Sequence, residues 1–399
     1  MTEPAINTSS LSIETIKKSL KINIRQFSMI IALLAIWIIF QILTGGIFIS
    51  ARNLSNLFLQ SAAVGIAASG VVLVMVAGHI DLSIGSVVGF TGAVTAVCLV
   101  NFNMSVGTAL LITLIVGLMI GIWHGFWIAY RGVPAFIVTL ASMLMFRGAI
   151  IGITGSKSIS PNNSTFKAIG QGYLPKLNEG LNFHDTTALL GILFIIAYII
   201  LELYTRKKRQ KYGFTVLSNS MFIAKLIGMS IVIAAVFSIM VLYRGIPYAV
   251  LLLLVVVIIF TIISNKTAFG RYVYAIGGNR EAARLSGIDI RKTNMMIFVL
   301  MGLLSTIAGI VYTSRLNAAI VAAGQNFEMD CIAAAIIGGT STLGGEGTIP
   351  GAIIGALVMA SLDNGMSLMN LGSFEQYLVK GLVLLIAVWF DIATRKKAA

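Results

Sequence analysis

Charge is scarce in this chain, and its scarcity indicates the class of protein. Of 399 residues, 11% are charged and 58% are hydrophobic, whereas soluble domains carry about 25% charged residues. The composition therefore predicts a membrane protein in contact with a lipid bilayer. The formal net charge of +14 would suggest nucleic acid in a soluble protein, but in a membrane protein basic residues collect on the cytoplasmic side. No nucleic-acid partner is expected.

Cysteine and histidine are also rare. The two cysteines, Cys98 and Cys331, lie in apolar segments without the spacing of a disulfide framework or a metal site, and there are only three histidines. A phosphate-binding loop, GxxxxGK followed by serine or threonine, is missing, because the glycine-rich stretch Gly338–Thr348 has no lysine. We therefore expect no cofactor and no metal. The chain is not predicted to be an enzyme, and any ATP hydrolysis is expected from a partner.

Apolar runs fill most of the sequence. Each run comes near the length of about 20 residues that a helix needs to cross a bilayer. They predict an all-α, polytopic transmembrane bundle of about 10–12 spans over residues 27–392. The first run, Phe27–Leu43, follows basic residues as a signal peptide would, but it lacks a small-residue cleavage site and is predicted to be a retained helix. The glycine-rich text of the last four runs leaves room for re-entrant pieces. The twelve runs are 27–44, 54–77, 82–100, 106–129, 134–154, 186–204, 221–242, 247–264, 294–314, 328–344, 348–369 and 374–392.

Basic residues predict the orientation. The N-terminal tail, residues 1–26, and the C-terminal tail, residues 393–399, are both basic where they meet the membrane. Twelve crossings place both tails in the cytoplasm, together with the polar loop 265–293. The longest external loop, 155–185, carries few basic residues by comparison. The asymmetry agrees with the positive-inside rule.

The polar stretch 266–294 is the longest charged interruption in the second half of the chain. Asn279 can cap a short helix there, and Gly287 suits its end. Ala282 and Leu285 would share one face of that helix. Two interpretations stay open from these residues alone. The helix is either an amphipathic turn on the membrane surface or a shallow knob for a groove on another protein.

A carboxylate, Asp81, interrupts apolar sequence between two predicted spans. A carboxylate inside a membrane is costly and indicates either function or structural pairing. In the first interpretation, Asp81 caps the next helix and accepts hydrogen bonds from the amides of Ser83 or Ile84. In the second, it lies on a polar translocation path with the hydroxyls of Ser83 and Ser86, while Gly85 allows close packing.

Two further features have a structural and a functional interpretation. Gly338, Gly339 and Thr340 begin a glycine-rich segment that permits either tight helix packing or a backbone break lining a cavity. Lys380, one or two turns inside the last span, is expected to snorkel outward or to pair with Glu375.

A short internal echo joins YRGVPAFIVTL at Tyr130–Leu140 and YRGIPYAVLLL at Tyr243–Leu253. The predicted topology places the two copies on opposite faces of the membrane, as an inverted repeat would. The alternative is that each is only a helix start with proline in its first turn.

Three stretches carry a family resemblance: GRYVYAIGGNREAARLSGI at 270–288, IDLSIGS at 80–86 and EMDCIAAAIIGGTSTLGGEGT at 328–348. The chain resembles the permease subunits of bacterial monosaccharide ABC transporters of the ribose, xylose and arabinose type, over nearly its whole length from Ile49. His79 departs from the usual text of that family. The added pair of spans around 186–245 is similar to the xylose-transporting members.

The resemblance implies a permease subunit that imports a monosaccharide, D-xylose first among them, across the cytoplasmic (inner) membrane of a bacterium. It implies three protein partners: an ATP-binding cassette subunit, an extracytoplasmic sugar-binding protein and a second copy of the chain. For coupling to the ATPase, it points to Gly277, Gly278, Asn279, Glu281, Ala282, Ala283, Arg284, Leu285 and Gly287. For the translocation path or a helix cap, it points to Asp81, Ser83, Gly85, Ser86, Gly338, Gly339 and Thr340.

The rival interpretation is an ion-coupled secondary sugar transporter or a passive channel. An ion-coupled carrier needs a relay of buried ionisable residues. Asp81, Asp363 and Lys380 are candidates, but the sequence shows no chain connecting them. The rival also leaves the 270–288 stretch unexplained.

Overall fold

The computed structural model describes residues 29–396, and that part of the chain is all-α, as the sequence predicts. Its β structure amounts to two isolated bridges, Ile159 with Ala319 and Tyr173 with Pro247. Residues 1–28, which include the predicted tail 1–26, and residues 397–399 of the predicted tail 393–399 lie outside the described residues. The helices are α1 (Met29–Leu43), α2 (Ala51–Val76), α3 (Ile84–Val100), α4 (Val106–Gly125, continued by a π-helical turn Phe126–Tyr130), α5 (Ala135–Thr154), α6 (Ser164–Gln171), α7 (Asp185–Lys211), α8 (Asn219–Val241), α9 (Tyr248–Lys266), α10 (Ala268–Gly278), α11 (Arg280–Leu285), α12 (Ile290–Leu316), α13 (Phe327–Ile337), α14 (Ile349–Leu368) and α15 (Ser373–Lys396).

Eight of the described helices are long and apolar enough to cross a membrane: α2, α4, α5, α7, α8, α9, α12 and α14. Two shorter apolar helices, α1 and α3, also fall inside predicted spans. The run 328–344 differs from its prediction, because α13 contains only 11 residues. At 1.5 Å per residue it is about 16 Å long, roughly half of a hydrocarbon core. Glycines from Gly338 onward end the helix early.

Helix α12 is central, and α4 lies antiparallel to it along a seam of glycines. Gly117 packs against Thr306, Gly121 against Phe298, and Gly125 near the start of α12 against Met295. Small residues let two helix backbones approach closely in a membrane, where apolar lipid offers little hydrophobic drive for association. The seam also defines two ends of the bundle. The α11 end contains α10, α11 and the start of α12, and the α6 end contains α6 and the end of α12.

Helix α3 begins halfway through the bundle. Gly309 of α12 packs against Val88, and Gly92 packs against Thr313. Residues 84–92 therefore lie beside the second half of α12, and α3 runs in the same direction toward the α6 end. The segment 77–83, which leads to α3, is not helical.

A second break mirrors the first. After α12 reaches the α6 end, residues 317–326 turn back into the bundle until Gly324 meets Gly85. Helix α13 then runs toward the α11 end. The pair α2–α3 and the pair α12–α13 thus each join a long helix to a broken one, with opposite directions. This is the arrangement of an inverted repeat.

The echo does not take part in this inverted arrangement. Its copies precede α5 and α9 at opposite ends of the bundle, as predicted, and not α3 and α13. What they share is local geometry. Gly132 and Gly245 both have positive φ, +73° and +91°, and Pro134 and Pro247 are the N-caps of the helices that follow. The helix-start interpretation accounts for the echo.

Candidate functional sites at the α11 end and inside the bundle

The short helix α11 is bounded by side-chain and glycine caps. The Asn279 Oδ1 atom accepts a hydrogen bond from the amide of Ala282 at 2.9 Å, as an N-cap does. At the other end Gly287 has φ +80° and its amide donates to the carbonyl of Arg284, while the amide of Ile288 donates to the carbonyl of Ala283. These two bonds form a Schellman motif. Local sequence therefore defines both ends of α11.

One face of α11 points away from the bundle. Leu285 is 78% exposed, whereas Ala283, on the opposite face, is 4% exposed. Ala282 is also exposed, and Glu281 lies beside Arg284 with the Nε–Oε2 distance at 3.1 Å. This ion pair is open to solvent and is worth well under about 1 kcal/mol. The geometry offers a small apolar knob flanked by two charges.

Helix α10 attaches this knob to the core. Gly277 packs so closely on the Val76 carbonyl, at the end of α2, that any Cβ there would collide with it. The amide of Gly345 donates to the same carbonyl at 2.9 Å. The Tyr274 hydroxyl donates to the Gly347 carbonyl at 2.7 Å. Three segments distant in sequence therefore meet beneath α11. By contrast, Gly278 has open space where its Cβ would be.

Asp81 lies in the break before α3 and is buried. Its Oδ1 accepts hydrogen bonds from the Ser83 amide at 2.8 Å and from the Ser83 hydroxyl at 2.6 Å. The amide of Leu82, which lies between Asp81 and Ser83, donates a hydrogen bond to the Thr139 Oγ1 at 3.1 Å. The carboxylate and the hydroxyl thus satisfy backbone amides that have no helical partner. Ser86 Oγ is buried nearby without a hydrogen-bond partner.

The second break brings a further carboxylate to the same place. Glu328, in the first turn of α13, lies against Gly85, and its Oε2 is buried without a hydrogen-bond partner. The Arg147 guanidinium of α5 donates to the carbonyls of Val321 and Ala323 at 3.3 and 2.8 Å, and so supports the broken backbone. The N-termini of α3 and α13 thereby meet in one polar layer inside the bundle. The sequence patterns alone assign no role to Glu328.

The predicted path residues separate into two groups. Asp81, Ser83, Gly85 and Ser86 lie in the polar layer. Gly338 instead packs backbone to backbone on Gly351, and buried Thr340 lies against Gly347 near the α11 end. Gly339 has φ +88° and turns the chain out of α13. The structure does not bring the two groups together, and in the second group Gly338 lies in close backbone packing.

The expected pairing of Lys380 with Glu375 is wrong, as is outward snorkelling. The Lys380 Nζ of α15 lies 3.0 Å from Asp330 Oδ1 of α13 and 2.8 Å from Asp363 Oδ1 of α14. Residues five apart lie about 140° apart around a helix and do not share a face. The sequence signal for Asp330 was a carboxylate inside an apolar run. The partners are 50 and 17 residues from Lys380 in sequence, so local sequence reasoning could not pair them.

Comparison with known proteins identifies the family. The profile described as the permease component of a branched-chain amino acid transport system matches residues 53–388. The xylose transport system permease protein XylH of Escherichia coli is 43% identical over 94% of both chains, and that of Haemophilus influenzae is 42% identical over 94% of this chain and 98% of its own. The ribose import permease protein RbsC of Bacillus subtilis is 33% identical over 88% of this chain and 87% of its own.

No solved structure matches the chain. The sequence matches nevertheless cover both breaks, the polar layer and the α11 end. They confirm the resemblance to monosaccharide transporter permeases that the three sequence stretches carried. The chain therefore belongs to the family of ABC transport-system permease components.

Proposed function

We propose that this chain is the membrane-spanning subunit of an ATP-driven importer that carries a monosaccharide, D-xylose, across the cytoplasmic membrane of a bacterium. The names of the relatives that cover 94% of the chain support the substrate class. One structural observation supports the coupling mechanism above others. It is α11, capped at both ends, exposed at Leu285 and attached to the core through Gly277.

In this proposal the α11 end faces the cytoplasm, together with both tails and the loop 265–293. Leu285 and Ala282 insert into a groove on an ATP-binding subunit, and Glu281 and Arg284 contact its rim. Movement of that subunit is transmitted through α10 to the end of α2 and to the loop between α13 and α14, where Gly277, Val76 and Gly345 touch. The loop 155–185, on the opposite face, receives the sugar-loaded binding protein. Two copies of the chain enclose the path. The chain itself does not hydrolyse ATP.

A second candidate has one observation in its favour. The Asp330–Lys380–Asp363 cluster is a connected set of ionisable groups inside the bundle, which an ion-coupled carrier would require. Such a carrier would move sugar without any ATP-binding subunit. The two candidates therefore differ in whether the chain is sufficient alone.

The deciding experiment replaces the exposed leucine of α11. We expect Leu285→Glu to reduce co-purification of the ATP-binding subunit and ATP-driven sugar uptake in proteoliposomes at least roughly tenfold, the effect of losing about 1.4 kcal/mol of binding. Leu177→Glu is the matched control, because Leu177 is 75% exposed in the loop at the α6 end. It should retain the ATP-binding subunit. Because Leu177 lies in the loop proposed to receive the binding protein, this variant is a control for co-purification and not for uptake. The proposal fails if the chain alone moves D-xylose in liposomes under a proton or sodium gradient, or if Leu285→Glu has no effect.

A further inference from the structure

A polar cavity of about 380 Å³ lies inside the bundle, apart from the α11 end. It is bounded by α2, α12, the segment 324–327, α13, α14 and α15. The lining residues Arg315, Ser367 and Ser373 stand at the ends of helices at the α6 end, whereas Asp330 and Met359 lie deeper. The cavity thus opens toward the α6 end and reaches the middle of α14.

The deep part of the cavity holds the ionic cluster. Lys380 lies between Asp330 and Asp363, and the three side chains are 22%, 15% and 34% exposed. They come from three different helices, so the cluster connects α13, α14 and α15. Arg315 adds a second cation to the lining. Two carboxylates and two cations give a formal charge of zero, and a cavity without net charge favours a neutral ligand over a free ion.

The remaining polar groups suit a ligand rich in hydroxyls. Gln60, Gln325 and Asn326 each present a carboxamide that both donates and accepts hydrogen bonds. The carboxylates accept from hydroxyl groups and Lys380 donates to them. Tyr312, packed edge-on against Phe327 with ring centroids 5.8 Å apart, adds an aromatic wall. A polyhydroxylated ring carries hydroxyl groups, which donate and accept hydrogen bonds, and apolar C–H groups. The hydroxyls match the polar groups of the lining, and the C–H groups match the aromatic wall.

The size of the cavity fits the same ligand. At about 30 Å³ per water it would hold roughly a dozen water molecules. Ligand pockets span about 300–1,000 Å³, and this one is at the small end. One monosaccharide with a few waters would fill it.

We propose that this cavity is a binding site for one neutral monosaccharide, with Asp330, Asp363 and Lys380 as its central contacts. The site receives the sugar from the α6 end. The class of ligand rests on the proposed function. The site itself rests on the cavity, its balanced charges and its carboxamides.

Protection of an introduced thiol tests the site directly in the full-length chain reconstituted in lipid nanodiscs. Ser367 lines the cavity and is exposed, so Ser367→Cys can react with a thiol reagent, whereas the native Cys98 and Cys331 are buried. We expect millimolar D-xylose to slow labelling of Ser367→Cys several-fold. The matched variant is Ser158→Cys, because Ser158 is exposed at the α6 end but lies outside the cavity. The thiol reagent should label it equally fast with and without sugar.

A second set of variants separates binding from a purely structural clamp. In the Ser367→Cys background, Asp363→Asn and Asp330→Asn should each raise the half-protecting concentration of D-xylose about tenfold or more, since each removes a charge-assisted hydrogen bond. Glu202→Gln, which removes a carboxylate paired with Lys225 on the α7–α8 pair, should not change it. If both asparagine variants lower the melting temperature and leave protection unchanged, the cluster only clamps helices and the proposal is overturned.

Failure of the site and failure of the proposed function give different results. If D-xylose, D-ribose and L-arabinose all leave Ser367→Cys labelling unchanged, while a co-purified ATPase responds to the loaded binding protein, the cavity is not a sugar site and the importer stands. If D-ribose protects better than D-xylose, the site is supported and the sugar of the proposed function changes. If no ATPase co-purifies yet sugar protects, the site is supported and the importer is not.

Discussion

Helices α2 and α12 differ from the hairpin of α7 and α8 in what they touch, although all four are long and strongly apolar. In their most apolar stretches, 89% of α2 and 61% of α12 is buried in the chain, compared with 11% of α7 and 6% of α8. The first pair forms the core and the second faces outward for most of its length. Hydropathy therefore indicates that a segment lies in a membrane, but not whether its neighbours are protein or lipid.

The core helices and the α7–α8 hairpin differ in burial because they use their small and hydroxyl-bearing residues differently. In the core, glycines meet backbone or threonine at contact distance, as Gly92 meets Thr313 and Gly117 meets Thr306. In the hairpin, Gly228 has no atom within 4 Å of where its Cβ would stand. Because lipid is as apolar as leucine, close backbone approach is a main source of helix association in a membrane. Gly92 and Gly117 in the core thus have a packing role that Gly228 in the hairpin lacks.

The largest expected effect is that of Gly85→Ala in the core. The new methyl group would collide with the Gly324 carbonyl and the Glu328 carboxylate, so the two broken segments would have to separate. We expect a loss of about 3 kcal/mol or more in stability, at or above the upper end of the usual cost of overpacking, because a backbone carbonyl is one of the colliding groups. The loss would be seen as a lower melting temperature in detergent. Gly228→Ala in the hairpin is the matched control. Equal melting temperatures for both variants would show that Gly85 in the core is packed no more closely than Gly228 in the hairpin.

A smaller effect is expected from the buried amide pair Asn53 and Asn364. Their carboxamides exchange two hydrogen bonds, at 2.7 and 3.0 Å, between α2 and α14. Asn53→Ala leaves the Asn364 carboxamide buried and unpaired, which costs about 1–3 kcal/mol. Thermal melting of both single variants and the double variant measures the coupling. The comparable pair in the hairpin, Lys225 with Glu202 at 2.7 Å, is partly exposed, and its coupling should stay below about 1 kcal/mol. A stronger coupling in the hairpin would reverse the comparison.

The smallest effect is expected where the hairpin is tightest. A methyl group at Gly191 would stand 3.0 Å from the Phe237 ring, which is a side chain and can rotate. We expect Gly191→Ala to change the free energy of unfolding by no more than about 1 kcal/mol. The poorer fit against the Phe237 ring is offset by the better helix propensity of alanine. Fluorescence-detected thermal melting is sufficient to measure it. A loss as large as that of Gly85→Ala would show that the hairpin packs like the core.

Features that depend on short-range interactions along the chain can be predicted from the sequence, and those that depend on long-range contacts cannot. The caps of α11 involve residues within five positions of one another, so Asn279 and Gly287 could be located from the sequence. The Asp81 carboxylate likewise bonds to Ser83, two residues away. Lys380 could not be paired correctly, because Asp330 and Asp363 come from other helices. The span at 328–344 was too long, because hydropathy does not register that Gly338 must pack on Gly351.

The sequence by itself determined the class of protein, most of the long apolar helices, the caps at the α11 end and, through its motifs, the family. These depend on composition, periodicity and hydrogen bonds between near neighbours, which are local properties of the chain. Only the tertiary structure decided that two helices break inside the bundle, that Glu328 joins Asp81 in one polar layer, and that three charges from three helices line one cavity. Those features depend on which small residues let distant backbones touch, and such contacts are settled by packing the whole bundle at once.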